Sequence, residues 1–405
     1  MKPIVRAGRM KPVHSDIRGP LFVEAMKRQK QGIDILKLNT GNPATFGFGL
    51  PDSIKNALME HMQDGVGYCD FKGMPQARQA ICDYETSKGI KGITPDDVFI
   101  GNGVSEVVSF ALTPLLNDGD EVLVPSPSYS LWGNSVYLED GKPVFYTCDE
   151  QANWYPDIQD IRSKITDKTK AIVIINPNNP TGVLYPKELL LEIIQIARES
   201  GLLIFADEIY DRLVMDGKQH SSLASLTEDV PVITLNGLSK SHCLCGYRCG
   251  WMVISGPREL TEDYRQGIIQ LTSLRLCANT MAQIVIPAAL DDMETPASMV
   301  RPGGRIYEQR EATVRELEKI DGLSFVKNDA AFYVFPKLDV KKFNITNDKQ
   351  FAHDLLDATN ILLVPGSGFD WKDPDHFRIV MLPQADILSD AIRRMGTFLD
   401  GYKQK

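Results

Sequence analysis

Residues 202–210 read Leu202-Leu203-Ile204-Phe205-Ala206-Asp207-Glu208-Ile209-Tyr210, five apolar positions running straight into two carboxylates. So short and continuous an apolar run predicts a strand buried inside the protein, in a sheet covered by helices. The same grammar recurs on either side. Strands are predicted at 98–100, 121–124, 171–175, 202–205, 232–235 and 250–254, with longer amphipathic stretches between them. That alternation predicts an α/β core with a large, mostly parallel sheet sandwiched by helices. Four of the strands end in polar or glycine-containing turns, at 101–105, 176–182, 207–210 and 236–240. Ligands of open α/β sheets sit beyond the carboxyl ends of the strands, so these turns are expected to converge on one site.

Around Gly256-Pro257 the pattern changes to long helical stretches, 258–276 and 306–320, with the break Arg301-Pro302-Gly303-Gly304 between them. Short strands at 331–335 and 377–381 and helices at 351–359 and 387–399 then predict a smaller α+β domain. The first 45 residues carry one predicted helix, 21–31, and no sheet of their own. The expected division is therefore 1–45 as an N-terminal arm and part of the small domain, 46–300 as the large domain and 301–405 as the small C-terminal domain.

Composition narrows the partners. A chain of 405 residues with 43% hydrophobic and 24% charged positions is long enough for two domains and has no signature of disorder. Its net charge of −9, with no Lys/Arg run, argues against nucleic acid. The apolar stretches are strand-sized, far short of a membrane span. The start, Met1-Lys2-Pro3-Ile4-Val5-Arg6, has no apolar core of a signal peptide, so a cytoplasmic location is expected. Seven cysteines without framework spacing predict reduced thiols. Cys243, Cys245 and Cys249 lack a C-x-x-C pair and the histidines lack ligand spacing, so no metal is expected. A nicotinamide oxidoreductase is disfavoured because no G-x-G-x-x-G follows a strand.

The turns carry the chemistry. Lys240 follows a buried strand, where an amine is costly unless paired, neutral or covalently used; judged alone, its default reading is a surface lysine in a turn. Arg248, eight positions on, has the fork that grips a phosphate. Asp207 ends its strand as a carboxylate in need of a cation, or as a helix N-cap. Tyr210 is a hydrogen-bonding or a packing residue. Asn176-Pro177-Asn178-Asn179-Pro180-Thr181-Gly182 is rich in turn formers, and Gly103-Val104-Ser105 opens a helix whose free amides favour a phosphate, although capping alone would account for Ser105.

In chain order, Asn179-Pro180-Thr181-Gly182, Asp207-x-x-Tyr210, Ser239-Lys240 and Gly246-Tyr247-Arg248-x-Gly250 resemble the signature set of class I aminotransferases of pyridoxal phosphate (PLP) fold type I. Gly67-Tyr68-Cys69-Asp70 and Asn236–Lys240 look most like the bacterial glutamate–pyruvate (alanine) group. The resemblance implies that Lys240 carries pyridoxal 5′-phosphate covalently and moves the substrate proton, that Asp207 pairs with the ring nitrogen and that Tyr210 bonds the ring oxygen. It implies Arg248, Ser105 and the amides of Val104 and Ser105 at the phosphate, and Tyr129 stacked on the ring. Tyr68 would reach the phosphate of a neighbouring subunit, implying a homodimer with shared sites. Arg378 would clamp the substrate α-carboxylate with Asn179 and the backbone of Gly41. Gly237 departs from a serine of several relatives, and Ser239 is the expected substitute. Arg18, between Ile17 and Gly19-Pro20 in the N-terminal arm, is the expected partner for the second carboxylate of glutamate and 2-oxoglutarate; the competing expectation is a surface ion pair. The implied reaction is ping-pong transamination between amino acids and 2-oxo acids, most simply L-alanine with 2-oxoglutarate. Aspartate, aromatic or branched-chain transamination, and a β-lyase of the same fold, are the neighbouring alternatives.

Overall fold

The computed structural model describes residues 2–405. Its centre is an eight-stranded sheet in the order Val98–Gly101, Gly250–Ser255, Val232–Gly237, Leu203–Asp207, Thr169–Ile175, Glu121–Ser126, Lys142–Asp149, Tyr155–Pro156. Six strands share one direction. Gly250–Ser255 runs against both of its neighbours, and Tyr155–Pro156 runs against Lys142–Asp149.

The apolar runs are continuous because both faces are covered. Ile204 and Ala206 enter one hydrophobic cluster while Leu203 and Phe205 enter another. Along Thr169–Ile175, Ile172 and Ile174 likewise separate from Ala171, Val173 and Ile175. Side chains alternate across a strand, so a sheet with apolar residues at every position needs a layer on each side. Helix Lys187–Ser200 supplies Leu190, Ile193, Ile194 and Ile196 to the first face, and helix Val104–Leu112 supplies Val107, Val108 and Ala111 to the second.

A separate cluster joins Leu38 to residues of helices Arg305–Leu317, Asp348–Thr359 and Ala385–Asp400. Leu36–Lys37 pairs in parallel with Ile361–Leu362, which ties the N-terminal segment to the C-terminal part of the chain. Phe377–Val380 lies between Tyr333–Val334 and Val364–Pro365 in a three-stranded antiparallel sheet. Among the described residues, no single helix is long and apolar enough to cross a membrane.

Two regions differ from the expectations. Lys142–Asp149 and Tyr155–Pro156 extend the sheet where no strand was expected, and three short helices, Thr280–Ile284, Ile286–Asp291 and Glu294–Val300, fill the space before the Arg301–Gly304 break.

Candidate active site

Strand Val232–Gly237 runs into a single helical turn, Leu238–Ser241, that carries Lys240. Gly237 pairs with Gly250, and a Cβ at 237 would collide with the Cys249 carbonyl while one at 250 would collide with the backbone of Gly103 and Val104. This close stacking of three backbones is why position 237 has no room for a serine. The Lys240 Nζ donates to the Gly41 carbonyl at 3.1 Å and stands 5.8 Å from the Phe332 ring centroid. No carboxylate pairs with it among the described residues. Burial lowers the Lys240 pKa, but the facing Tyr333, Cys245 and Tyr129 outweigh burial and leave it above the ordinary lysine value.

Asp207, buried at the end of its strand, accepts the Trp132 indole N–H at 3.1 Å and the Ile209 amide at 3.3 Å. Burial pushes its carboxyl up to about 6, although both hydrogen bonds and the charge of Lys240 pull the other way. The hydroxyls of Tyr210 and Tyr333 lie 2.9 Å apart, and burial holds the Tyr210 phenol well above its usual range.

Gly103, at φ 86, turns the chain into helix Val104–Leu112. The first amides of that helix, at Val104 and Ser105, have no partners within it. Arg248, itself left-handed at φ 54, lies so close that a Cβ on Gly103 would strike its guanidinium. Its Nη1 donates to the Cys245 carbonyl at 2.9 Å and its Nη2 to Ser105 Oγ at 3.3 Å. A helix start, a hydroxyl and an arginine fork form a cradle for a phosphate. The Ser239 hydroxyl makes no hydrogen bond among the described residues.

Arg378 is 1% exposed, yet no carboxylate meets it among the described residues. Its Nη1 donates to Asn179 Oδ1 at 2.9 Å, its Nη2 donates to the Asn39 carbonyl, and its Nε has no partner. The rings of Tyr333 and Phe369 sandwich it, each centroid 4.6 Å from the guanidinium carbon. Burial pulls its pKa below the ordinary arginine value. A cation so desolvated is stabilised when a small carboxylate joins it.

The four turns therefore do meet. Tyr333 touches both Tyr210 and Arg378, and its hydroxyl with Phe332 stands where a Cβ of Gly41 would fall. Tyr129, 38% exposed, opens the segment that leads to Trp132. Two expected residues stand apart. Tyr68 is 83% exposed and makes no hydrogen bond among the described residues. Arg18 is exposed and makes no ion pair among the described residues; its neighbour Ile17 accepts from Asn39 Nδ2 at 2.8 Å, two links from Arg378. Trp132, Tyr333 and Asn39 were not anticipated. Trp132, three positions after Tyr129, offered the one usable signal.

A phosphate cradle, an uncompensated lysine, a buried carboxylate and a ring-flanked arginine fit pyridoxal phosphate together with an amino-acid substrate. The description "Aminotransferase class I and II" matches residues 33–392. A Haemophilus influenzae protein named glutamate-pyruvate aminotransferase is 50% identical over 404 residues, covering 100% of both chains. The crystal structure of an aminotransferase from Escherichia coli superposes with a TM-score of 0.98 at 47% identity, covering 100% of both chains. A Pyrococcus furiosus structure described as alanine aminotransferase gives 0.93 at 40% identity, covering 98% of this chain and 100% of its own. On the match over residues 33–392 and a half-identical relative along its whole length, the chain belongs to the class I and II aminotransferases, enzymes that work with pyridoxal 5′-phosphate.

Proposed function

We propose that the chain is a glutamate–pyruvate (alanine) aminotransferase, exchanging an amino group between L-alanine and 2-oxoglutarate to give pyruvate and L-glutamate in two alternating half-reactions. The observation that carries this reading is Arg378, a buried guanidinium with no acidic partner, set beside Asn179 and near Lys240. Both substrates bring the α-carboxylate it lacks. The choice of alanine and glutamate draws on the relatives named above.

In this reading Arg248, Ser105 and the Val104 and Ser105 amides hold the phosphate, with Ser239 adding a hydroxyl. Tyr129 would cover the ring face, Asp207 would pair with the ring nitrogen and Tyr210 would donate to the ring oxygen. Bound pyridoxal phosphate supplies the carbonyl that carries the amino group and the electron sink for the substrate carbanion. Lys240 would hold the cofactor through its Nζ, and the same amine, when free, would take the proton from the substrate Cα. Arg378 and Asn179 fix the α-carboxylate so that this Cα–H faces Nζ, and Arg18 swings in over the second carboxylate of glutamate.

The reading extends to assembly, division and location. A homodimer sharing its active sites is supported by the exposure of Tyr68 (83%), Val66 (77%) and Leu274 (82%). The division at 45 and 300 is supported by the cluster that unites Leu38 with the C-terminal helices. Seven free cysteines support a cytoplasmic setting.

Absorption titration of the holoenzyme with a panel of amino acids tests the function. Alanine and glutamate should each discharge the visible band, and aspartate, leucine and phenylalanine should do so roughly tenfold less effectively or worse. Ammonia release from alanine without any 2-oxo acid would place the chain among the lyases instead.

A further inference from the structure

Behind the turn that carries Asp207 and Tyr210 lies a buried charge cluster that the reaction does not use. Its centre is Lys88, at the end of helix Pro75–Ser87, with a side chain only 13% exposed. Its Nζ meets Glu85 at 2.7 Å, Glu208 at 2.8 Å and Asp211 at 3.1 Å, and these three carboxylates have side-chain exposures of 0%, 2% and 3%. One ammonium thus serves three carboxylates. Such an arrangement in a low-dielectric interior survives only where the geometry is tightly satisfied.

The partners of those carboxylates lie on the loops of the active site. Glu208 and Asp211 each follow directly on Asp207 and Tyr210, but they meet Lys88, whereas Asp207 meets Trp132 and Tyr210 meets Tyr333. Asp211 Oδ2 also accepts from Tyr84 at 2.5 Å and from Asn236 Nδ2 at 2.7 Å; Asn236 precedes the Gly237–Lys240 turn. Glu208 Oε1 accepts from Ser222 and Leu223, closing the other side of the turn. His220, with a ring nitrogen within 4.8 Å of the Glu208 and Asp211 carboxylates, contacts the carbonyl of Asn176 at 3.0 Å, where the Asn179 loop begins. Asn176 in turn donates its amide to the Asp207 carbonyl at 3.0 Å. One ammonium therefore stands behind three loops, those of Asp207, Lys240 and Asn179.

We propose that Lys88 is a positioning residue for transamination: by binding the rear of these loops it sets the placement of Asp207 and Tyr210 against the cofactor ring. It touches neither substrate nor cofactor. The cluster draws Glu208 and Asp211 backward, which leaves Asp207 with only Trp132 and the Ile209 amide and hence free to meet the ring nitrogen. The inference rests on the proposed roles of Asp207 and Tyr210.

The test uses the holoenzyme and three variants, Lys88→Met, Glu208→Gln and, as a control on the parent reading, Asp207→Asn. Each is assayed for kcat and KM with alanine, and for the pH midpoint of the bound cofactor's visible band. Lys88→Met should retain cofactor, lower kcat by roughly tenfold or more with little change in KM, and move the band midpoint. Glu208→Gln, which keeps the ammonium and two carboxylates, should show the same pattern to a smaller degree and covers the case in which Lys88→Met does not fold. A merely structural residue would lower thermal stability and leave kcat and the band midpoint of the folded fraction unchanged, and that result would overturn the inference. If Asp207→Asn itself retains full turnover, the parent reading has failed; if it loses turnover while the Lys88 and Glu208 variants do not, only the positioning role has.

Discussion

The indole N–H of Trp132 donates to Asp207 at 3.1 Å, the one side-chain donor to that carboxylate among the described residues. Trp132 is 0% exposed and packs against Phe205 with ring centroids 5.3 Å apart, so the donor is held from behind. Trp132→Phe keeps the packing and removes the donor. We expect kcat to fall by roughly tenfold to a hundredfold with cofactor retained, as for loss of a hydrogen bond to a charged group. Steady-state kinetics with a cofactor-occupancy measurement checks this, and unaltered kcat would remove Trp132 from the site.

Asp207 also makes stability depend on pH. Its carboxyl rises from 3.8 to about 6 in the folded, cofactor-free chain. Between those values the folded chain keeps a proton that the unfolded chain has released, so this group's contribution to stability falls as pH rises through that window and stays low above it. Two pKa units correspond to about 3 kcal/mol. The cofactor-free Asp207→Asn variant should therefore melt higher than the parent at pH 7 and no higher near pH 4, by calorimetry at both values. In the holoenzyme the same substitution should instead remove most of the turnover.

Lys240→Ala should fold and bind cofactor noncovalently but complete no transamination. Borohydride reduction of the parent followed by peptide mapping should place the added mass on Lys240. A tag on any other lysine would dismantle the site assignment.

Two arginines should separate by substrate. Arg378→Lys loses the planar fork and should lower kcat/KM for alanine and glutamate alike, by roughly 2 kcal/mol or more. Arg18→Ala should lower kcat/KM for glutamate and 2-oxoglutarate by roughly 1.5–3 kcal/mol while sparing alanine and pyruvate. Equal losses across substrates, or none, would take Arg18 out of the specificity pocket.

The arm that carries Arg18 has a pH limit of its own. His14 hydrogen-bonds to Asp370 at 3.1 Å and stands 3.6 Å from Asp16; the two carboxylates lift its pKa from 6.5 to about 9, and its backbone exchanges hydrogen bonds with the Asn134 side chain. A raised histidine stabilises the folded form fully below its unfolded value and loses that contribution as pH rises through the folded one, here between 6.5 and about 9. Hydrogen exchange at residues 8–19 should therefore quicken across that window in the parent, and His14→Ala should exchange fast throughout.

Much of this architecture was written in local sequence. The central strands from Val98–Gly101 to Gly250–Ser255 declare themselves because burial on both faces makes them apolar without interruption. Lys142–Asp149 hides because only some of its positions are buried and Pro143 interrupts it. The short helices between 280 and 300 span too few turns to develop a readable period. At the site, residues at strand ends were legible from their turns. Asn39 and Lys88 were not, because each acts through a contact far along the chain: Lys88 reaches Asp211 across 123 positions and Asn39 accepts from Arg378 across 339.

The sandwich of Arg378 between Tyr333 and Phe369 has a stereochemical outcome. Two rings and Asn179 hold its guanidinium in one orientation, so a carboxylate paired with that fork would lie in its plane. With carboxylate and amine both fixed, the two remaining bonds of Cα cannot trade places. On the proposed roles of Arg378 and Lys240, only one mirror image of an amino acid could then turn its Cα hydrogen toward Lys240, and the rigidity of one arginine would become the handedness of the product.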